Sequence, residues 1–284
     1  MLKLADIRCV HIELTTRCNA RCPMCMRNYR GLDYNSGYPD CELTLENIKH
    51  ILQPEVLKHL DLVSFNGNLG DFALSSDGVE IVEYIINNGT KVYINTNGSL
   101  RNPAWWAKLA LPGVEIGFAL DGLADTHGLY RQDTDWNKVI KNACAYIDAG
   151  GNATWRFVPF DHNRHQEETC KQLAKEYGFR RFENIYDGRD RGPVFDRDGT
   201  FSHWIGPTGE PETHTPDLKN LLQGHITWYD KNSRFEKDTP ELNIQCIHKR
   251  NREIYLAADG TVYPCCFLGF YPKSMHHPGN QELA

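Results

Sequence analysis

The chain has 284 residues, 40% of them hydrophobic and 24% charged, with a formal net charge of -6, a profile that fits a globular protein with one large α/β domain and an appendage or two ordinary domains. The acidic balance argues against a nucleic-acid binder that works through a basic surface, so a nucleic-acid partner is not expected. No run approaches the roughly 18 uninterrupted apolar residues of a membrane span, and the opening Met1-Leu-Lys-Leu-Ala-Asp6 has no signal-peptide core. A cytoplasmic, reducing location is expected, where clustered cysteine points to metal more than to disulfide.

From residue 7 to about 186, short β-rich runs alternate with amphipathic helical patterns, as in a parallel sheet wrapped by helices. Six strands are expected: 7–14, 62–65, 92–95, 114–119, 153–159 and 182–185. Thr44 is placed to cap a helix over 45–52, and Ser76 or Asp77 to cap one running to Asn88 with Gly89 as its stop. Between Asp135 and Ala149, residues Val139, Ile140, Ala143 and Ile147 recur at helical spacing before Gly150-Gly151. Six such units predict a partial (β/α)6 barrel of TIM type, short of the eight strands of a closed one. Residues 187 to 240 are turn-rich and polar and read as a long connection. The expected division is a barrel over 1–205, a connecting segment over 206–240 and a C-terminal extension over 241–284.

In parallel α/β folds the ligand site lies at the carboxyl ends of the strands, so the segment after each strand is informative. The first strand leads into Cys18-Asn-Ala-Arg-Cys22-Pro-Met-Cys25. Three thiolates on one loop can hold an iron–sulfur cluster with one iron left open; a zinc loop or plain core thiols are the alternatives, though zinc normally recruits a fourth protein ligand. The second strand is followed by Gly67-Asn68-Leu69-Gly70-Asp71, where glycine permits close backbone approach to a ligand but also suits a plain turn. The third runs into Asn95-Thr96-Asn97-Gly98, whose side chains can hydrogen-bond hydroxyls. After the fourth come Asp121-Gly122 and Asp125-Thr-His127-x3-Arg131. A guanidinium at Arg131 can pair bidentately with a carboxylate, or form an ordinary surface ion pair. His127, His162 and His165 read as loop or helix-start histidines, and Cys9, Cys41, Cys144 and Cys170 as structural.

The Cys-x3-Cys-x2-Cys spacing resembles the signature of the radical S-adenosylmethionine (SAM) enzymes. That resemblance implies a [4Fe–4S] cluster on Cys18, Cys22 and Cys25 whose open iron chelates SAM. It places Gly67, Asn68, Gly70 and Asp71 where the family has a Gly-Gly-Glu motif holding the SAM amino group, with Asn68-Leu69 interrupting the glycines and Asp71 standing for glutamate. Asn95, Thr96 and Asn97 correspond to ribose and methionyl contacts. Asp121 and Arg131 match the peptide-modifying branch, Arg131 as partner of the SAM carboxylate, with Ala119 where serine is usual. Met24 stands where an aromatic residue usually borders the adenine.

Near the C-terminus, Ile254-Tyr-Leu, an Asp259-Gly260 turn and Thr261-Val-Tyr read as a β-hairpin flanked by Cys246, Cys265 and Cys266. The wording resembles the opening half of a SPASM/twitch extension, and the resemblance implies an auxiliary iron–sulfur cluster on these cysteines, with His248 available to fill a vacancy and zinc as the alternative. The chain is thus identified as resembling a SPASM/twitch-type radical SAM enzyme. The family would reductively cleave SAM, with an external flavodoxin- or ferredoxin-type reductant, and use the 5'-deoxyadenosyl radical on a peptide or protein side chain, or on a small metabolite or nucleotide. The competing readings are a non-catalytic iron–sulfur or zinc protein for electron transfer or regulation, and a family member that binds SAM without cleaving it.

Overall fold

The computed structural model describes residues 3–25, 27–28, 30–32, 39–186, 192–206 and 246–270. Six strands run parallel and neighbour one another in chain order: β1 (Cys9–Ile12), β2 (Leu62–Asn66), β3 (Lys91–Thr96), β4 (Val114–Ala119), β5 (Asn152–Phe157) and β6 (Arg181–Asn184). Registers carry like residues into line: Val10 lies opposite Val63, Val63 opposite Val92 and Val92 opposite Val114. Because side chains alternate along a strand, this apolar set shares one face. It packs on helix residues such as Ile48, Val82, Val139 and Cys170 to form the main core. The other face is polar, carrying His11, Ser64, Tyr93, Glu115 and Arg156 at alternate positions.

The helices begin and end for local reasons. Thr44 caps α1 (Leu45–Ile51) in a reciprocal box with Asn47. Proline opens both α2 (Pro54–Leu57) and α4 (Pro103–Ala107), where its missing N–H costs nothing. Asp135 caps α6 (Trp136–Asp148), its carboxylate accepting from the backbone N–H of Asn137 and Lys138 at 2.9 and 3.3 Å. Asp77 precedes α3 (Gly78–Asn87) as expected, yet its carboxylate accepts from the N–H of Leu45 at 2.8 Å, so it braces α1. Two further helices, α5 (His127–Tyr130) and α7 (Glu167–Glu176), complete the units after β4 and β5.

The α/β arrangement of six parallel strands matches the expectation, and the structure adds to it twice. Within the stretch read as a long connection, β7 (Gly192–Phe195) and β8 (Phe201–Ile205) form an antiparallel hairpin; two short apolar runs between turn-forming residues hid it. The C-terminal hairpin, β9 (Glu253–Leu256) with β10 (Val262–Tyr263), forms as expected. Its first strand pairs in parallel with β1, Cys9 opposite Glu253 and Ile12 opposite Leu256, so the sheet has eight strands in the order β10-β9-β1-β2-β3-β4-β5-β6. Of the expected connecting segment 206–240 only residue 206 is described, and 241–245 and 271–284 of the extension also lie outside the described residues. No described helix is long and apolar enough to cross a membrane.

Ile116 sits at the centre of this sheet with no solvent exposure. Replacing Ile116 by alanine should destabilise the fold by about 2–5 kcal/mol through lost burial and a residual cavity, read as a lower urea midpoint with an unchanged denaturant slope.

Candidate functional site

The loop after β1 swings across the carboxyl ends of the strands and is held at its base by short-range ties. Thr16 exchanges backbone hydrogen bonds with the 39–42 segment, its N–H donating to Cys41 O at 3.0 Å and its hydroxyl to Pro39 O at 2.8 Å. Arg27 donates to the carbonyls of Thr16 and Leu69. On this base Cys18, Cys22 and Cys25 line one cavity of about 380 Å³, together with the 66–71 loop, the 95–97 segment, Arg131 and Arg156. That volume lies within the ordinary range for small-molecule sites.

Each of the three sulfurs meets a group from another strand end. Asn97 Nδ2 donates to Cys18 Sγ at 3.8 Å, Arg131 Nη1 donates to Cys22 Sγ at 3.7 Å, and the Cys25 thiol donates to Asn68 O at 3.9 Å. Burial, then the nearby Asp71 carboxylate, raises the Cys18 thiol well above its ordinary value. Burial and the neighbouring Cys22 push Cys25 up to about 11. Both shifts favour the protonated thiol. Among the described residues, no group of three or more His, Cys, Asp or Glu side chains converges on a single ion.

The 67–70 loop owes its shape to Glu13, a residue the motif reading passed over. The Glu13 carboxylate is buried and accepts from the backbone N–H of Asn68 at 2.7 Å, Gly70 at 2.8 Å and Leu69 at 3.2 Å, and from the Tyr255 hydroxyl at 2.9 Å. Glycine is required at position 70, because a Cβ there would run into the carbonyl of Thr15. Asp71 also lines the cavity, but its carboxylate is occupied. It accepts from Thr96 Oγ1 at 2.8 Å, from Asn97 N at 2.8 Å and from Ala73 N at 2.9 Å, tying the loop after β2 to the one after β3. Asn95 Nδ2 donates to Asn66 Oδ1 at 2.9 Å in the same seam. Met24 faces the cavity among apolar neighbours that include Val158 and Tyr130.

Asp121 is fully buried and fixes Arg131: its Oδ2 accepts from Arg131 Nε at 2.5 Å, its Oδ1 from the N–H of Val158 at 2.6 Å. The pair is thus internal, not a surface ion pair. Burial alone would lower the Arg131 pKa; the Asp121 carboxylate overrides it, and the guanidinium stays charged beside Cys22. His127 completes the support, its Nδ1 accepting from the Asp121 N–H at 3.2 Å while Nε2 meets Thr134 Oγ1 at 3.0 Å.

Of the C-terminal cysteines, Cys246 is exposed ahead of the short helix Ile247–Arg250, and Cys266 opens the helix Cys266–Phe270. The Cys266 carbonyl accepts from Asn68 Nδ2 at 3.4 Å, which joins this region to the 67–70 loop. Burial, with Cys265 and Glu253 nearby, pushes the Cys266 thiol up to about 11. His248 Nδ1 stands 3.5 Å from Glu253 Oε2. Glu13, Tyr255 and Arg156 are the site residues that motif reading missed. Glu13 was visible as a carboxylate in alternation with His11 and Cys9 on β1, and Arg156 as a charge inside the otherwise apolar run Ala153-Thr-Trp-Arg-Phe157.

A family model described as the Radical SAM superfamily matches residues 12–181. Among curated proteins, the chain is 32% identical over 180 residues to an AdoMet-dependent heme synthase of Methanosarcina barkeri, covering 60% of this chain and 48% of that protein. It is 22% identical over 284 residues to a cysteine-type anaerobic sulfatase-maturating enzyme of Clostridium perfringens, covering 88% of this chain and 71% of that one. The chain thus spans about half the length of the first of these relatives. Among solved structures, SuiB of Streptococcus suis bound to S-adenosylmethionine superposes with a TM-score of 0.61 at 16% identity, over 93% of this chain and 61% of that one, a likeness of fold.

The buried His127 yields a pH prediction. Burial lowers its pKa to about 4, so the unfolded chain takes up a proton at higher pH than the folded one. The stability of the neutral imidazole is complete above the unfolded pKa near 6.5 and is lost as pH falls toward 4, to the extent of about 3 kcal/mol. Urea unfolding from pH 7 to 4 should show this decline, and His127→Gln should flatten it.

Proposed function

The chain belongs to the radical SAM superfamily, and from that membership we propose that it reductively cleaves SAM at a [4Fe–4S] cluster held by Cys18, Cys22 and Cys25, to abstract hydrogen from a peptide or protein side chain. The observation that carries the reading is the single cavity around which three cysteines each meet a group from another strand-end loop. When bound, the cluster and SAM supply the electron and the 5'-deoxyadenosyl radical; the protein supplies orientation and exclusion of water.

The roles follow from placement. Arg131 keeps a fixed positive charge beside Cys22, suited to thiolate ligands and to the carboxylate of SAM. The Gly67–Gly70 backbone, drawn taut by Glu13, offers its carbonyls to the SAM amino group. Asn95, Thr96 and Asn97 stand at the end of β3 for the ribose and methionyl portions, and Met24 for the adenine. Asp71 and Asp121 position these elements. The peptide or protein substrate is supported by the relative named for sulfatase maturation, which matches along 88% of this chain. A small-molecule substrate is the second reading, favoured by the identity with the heme synthase. A flavodoxin- or ferredoxin-type protein would donate the electron.

The extension over 241–284 is assigned an auxiliary iron–sulfur cluster with Cys246, Cys265 and Cys266 as ligands and His248 near them. Its support is the placement of Cys266 against Asn68 of the cavity loop.

Anaerobically reconstituted, dithionite-reduced protein should form 5'-deoxyadenosine from SAM, and Cys18/Cys22/Cys25→Ala should abolish it. Wild-type protein with a fully loaded cluster and no product would instead indicate an electron-transfer or regulatory role. Replacing Cys246, Cys265 and Cys266 together by alanine should roughly halve the bound iron while the N-terminal cluster persists, as measured by iron and sulfide content; unchanged iron would remove the auxiliary cluster from the assignment.

A further inference from the structure

Among the described residues, two buried polar atoms of the cavity lining have no hydrogen-bond partner: Nε of Arg156 and Oδ1 of Asn95. They stand on β5 and β3, on either side of β4, where Gly117 lies opposite Asn95 in register. A Cβ on Gly117 would sit 2.6 Å from Arg156 Cδ and 2.6 Å from Asn95 Oδ1. The Tyr93 hydroxyl lies 2.9 Å from the same point and against the Arg156 side chain, so the glycine leaves a gap bounded by that hydroxyl, the guanidinium stem and the amide oxygen. Asn95 Nδ2 is already used on Asn66 Oδ1 at 2.9 Å, which fixes Oδ1 as the open end. The carboxylate of Glu183 comes no nearer to Arg156 Nε than 4.0 Å, beyond hydrogen-bond distance.

Buried polar groups are nearly always paired, and each exception calls for an explanation. One donor beside one acceptor is the complement of a primary carboxamide, whose carbonyl accepts from Arg156 and whose syn N–H, on the same side, donates to Asn95. A carboxylate would satisfy the donor but meet the Asn95 oxygen with like polarity. We propose that Arg156 and Asn95 form a substrate subsite that binds a primary carboxamide, as in an Asn or Gln side chain of the substrate. It rests on the reading of this cavity as the place of a peptide substrate, and it gives the Asn95 oxygen to that substrate, leaving Thr96 and Asn97 for the ribose and methionyl portions of SAM. Arg131, bound to Asp121 and turned toward Cys22, is occupied and is not a rival for this role.

The test uses reconstituted, SAM-loaded protein and three small probes, acetamide, its ester counterpart methyl acetate, and acetate, followed by saturation-transfer NMR. Wild-type protein should bind the amide in preference to both others. Arg156→Met, and Arg156→Lys, which keeps the charge but loses Nε, should weaken amide binding about tenfold or more, with the affinity for SAM and substrate-free 5'-deoxyadenosine formation unchanged. Equal binding of ester and amide, no amide binding by wild type, or amide binding unaltered in both variants would overturn the subsite. Stronger binding of acetate would overturn it in favour of a carboxylate site, and a weakened affinity for SAM in the variants would assign the guanidinium to SAM instead. Failure of wild-type protein to form 5'-deoxyadenosine, with amide binding intact, would count against the proposed function and leave the subsite standing.

Discussion

The constraint on which the site depends is the buried carboxylate of Glu13. Four donors converge on it, three of them consecutive backbone N–H groups of the 68–70 loop and the fourth the hydroxyl of Tyr255. A loop that turns back on itself beneath a cavity cannot satisfy those N–H groups within its own backbone, and leaving them unpaired would cost about 1–3 kcal/mol each. One side chain at the end of β1 resolves this and so sets the loop's height above the sheet. Burial raises the Glu13 pKa while the N–H groups of Gly70 and Asn68 and the Tyr255 hydroxyl pull it back, so the donors act on the charged form that burial opposes. Because Tyr255 belongs to β9, the same carboxylate anchors the C-terminal hairpin to the cavity.

The rest of the site follows from a division of labour across the sheet. Alternation sends Val, Ile and Trp to the helix-covered face, where the core supplies stability, and His, Asn, Tyr, Glu and Arg to the other. Parallel strands end at one edge, so the segments after β1, β2, β3 and β4 meet there. Asp71 and Asp121 then serve as fasteners between adjacent strand ends, each carboxylate accepting hydrogen bonds from more than one segment. Such cross-links hold groups on separate loops in the fixed relation that cofactor chemistry requires.

Much of this was legible in the sequence, for identifiable reasons. The strand over 114–119 and the capped helices α1 and α6 carried period, cap and stop signals that act locally, and the cysteine spacing carried the family resemblance. What stayed hidden was nonlocal. The pairing of β9 with β1 joins residues more than 240 positions apart, and no local propensity encodes it. Glu13 reads as an ordinary polar residue of a strand until the loop it holds is placed above it. Asp71 reads as a motif carboxylate, yet the fold spends both its oxygens on Thr96, Asn97 and Ala73. Arg156 has no spacing signature, because its partner atom stands two strands away and the gap between them depends on Gly117.

The electrostatics of the cysteine loop close the argument from fold to chemistry. The Cys18 and Cys25 thiols resist ionisation, since burial and the neighbouring thiols both raise their pKa values. Iron ligation requires the opposite state, three negative sulfurs in a small volume. The fold supplies compensation at fixed points: the Arg131 guanidinium at Cys22 and the Asn97 amide at Cys18. A guanidinium in that position would itself be unstable alone, and Asp121 holds it charged. Breaking such a buried pair from one side leaves an uncompensated charge, so Asp121 matters to the cysteines without touching them. The backbone of Asp121 is in turn held by the neutral His127, whose Nδ1 accepts from the Asp121 N–H, so the imidazole fixes the stretch of chain from which the carboxylate reaches Arg131.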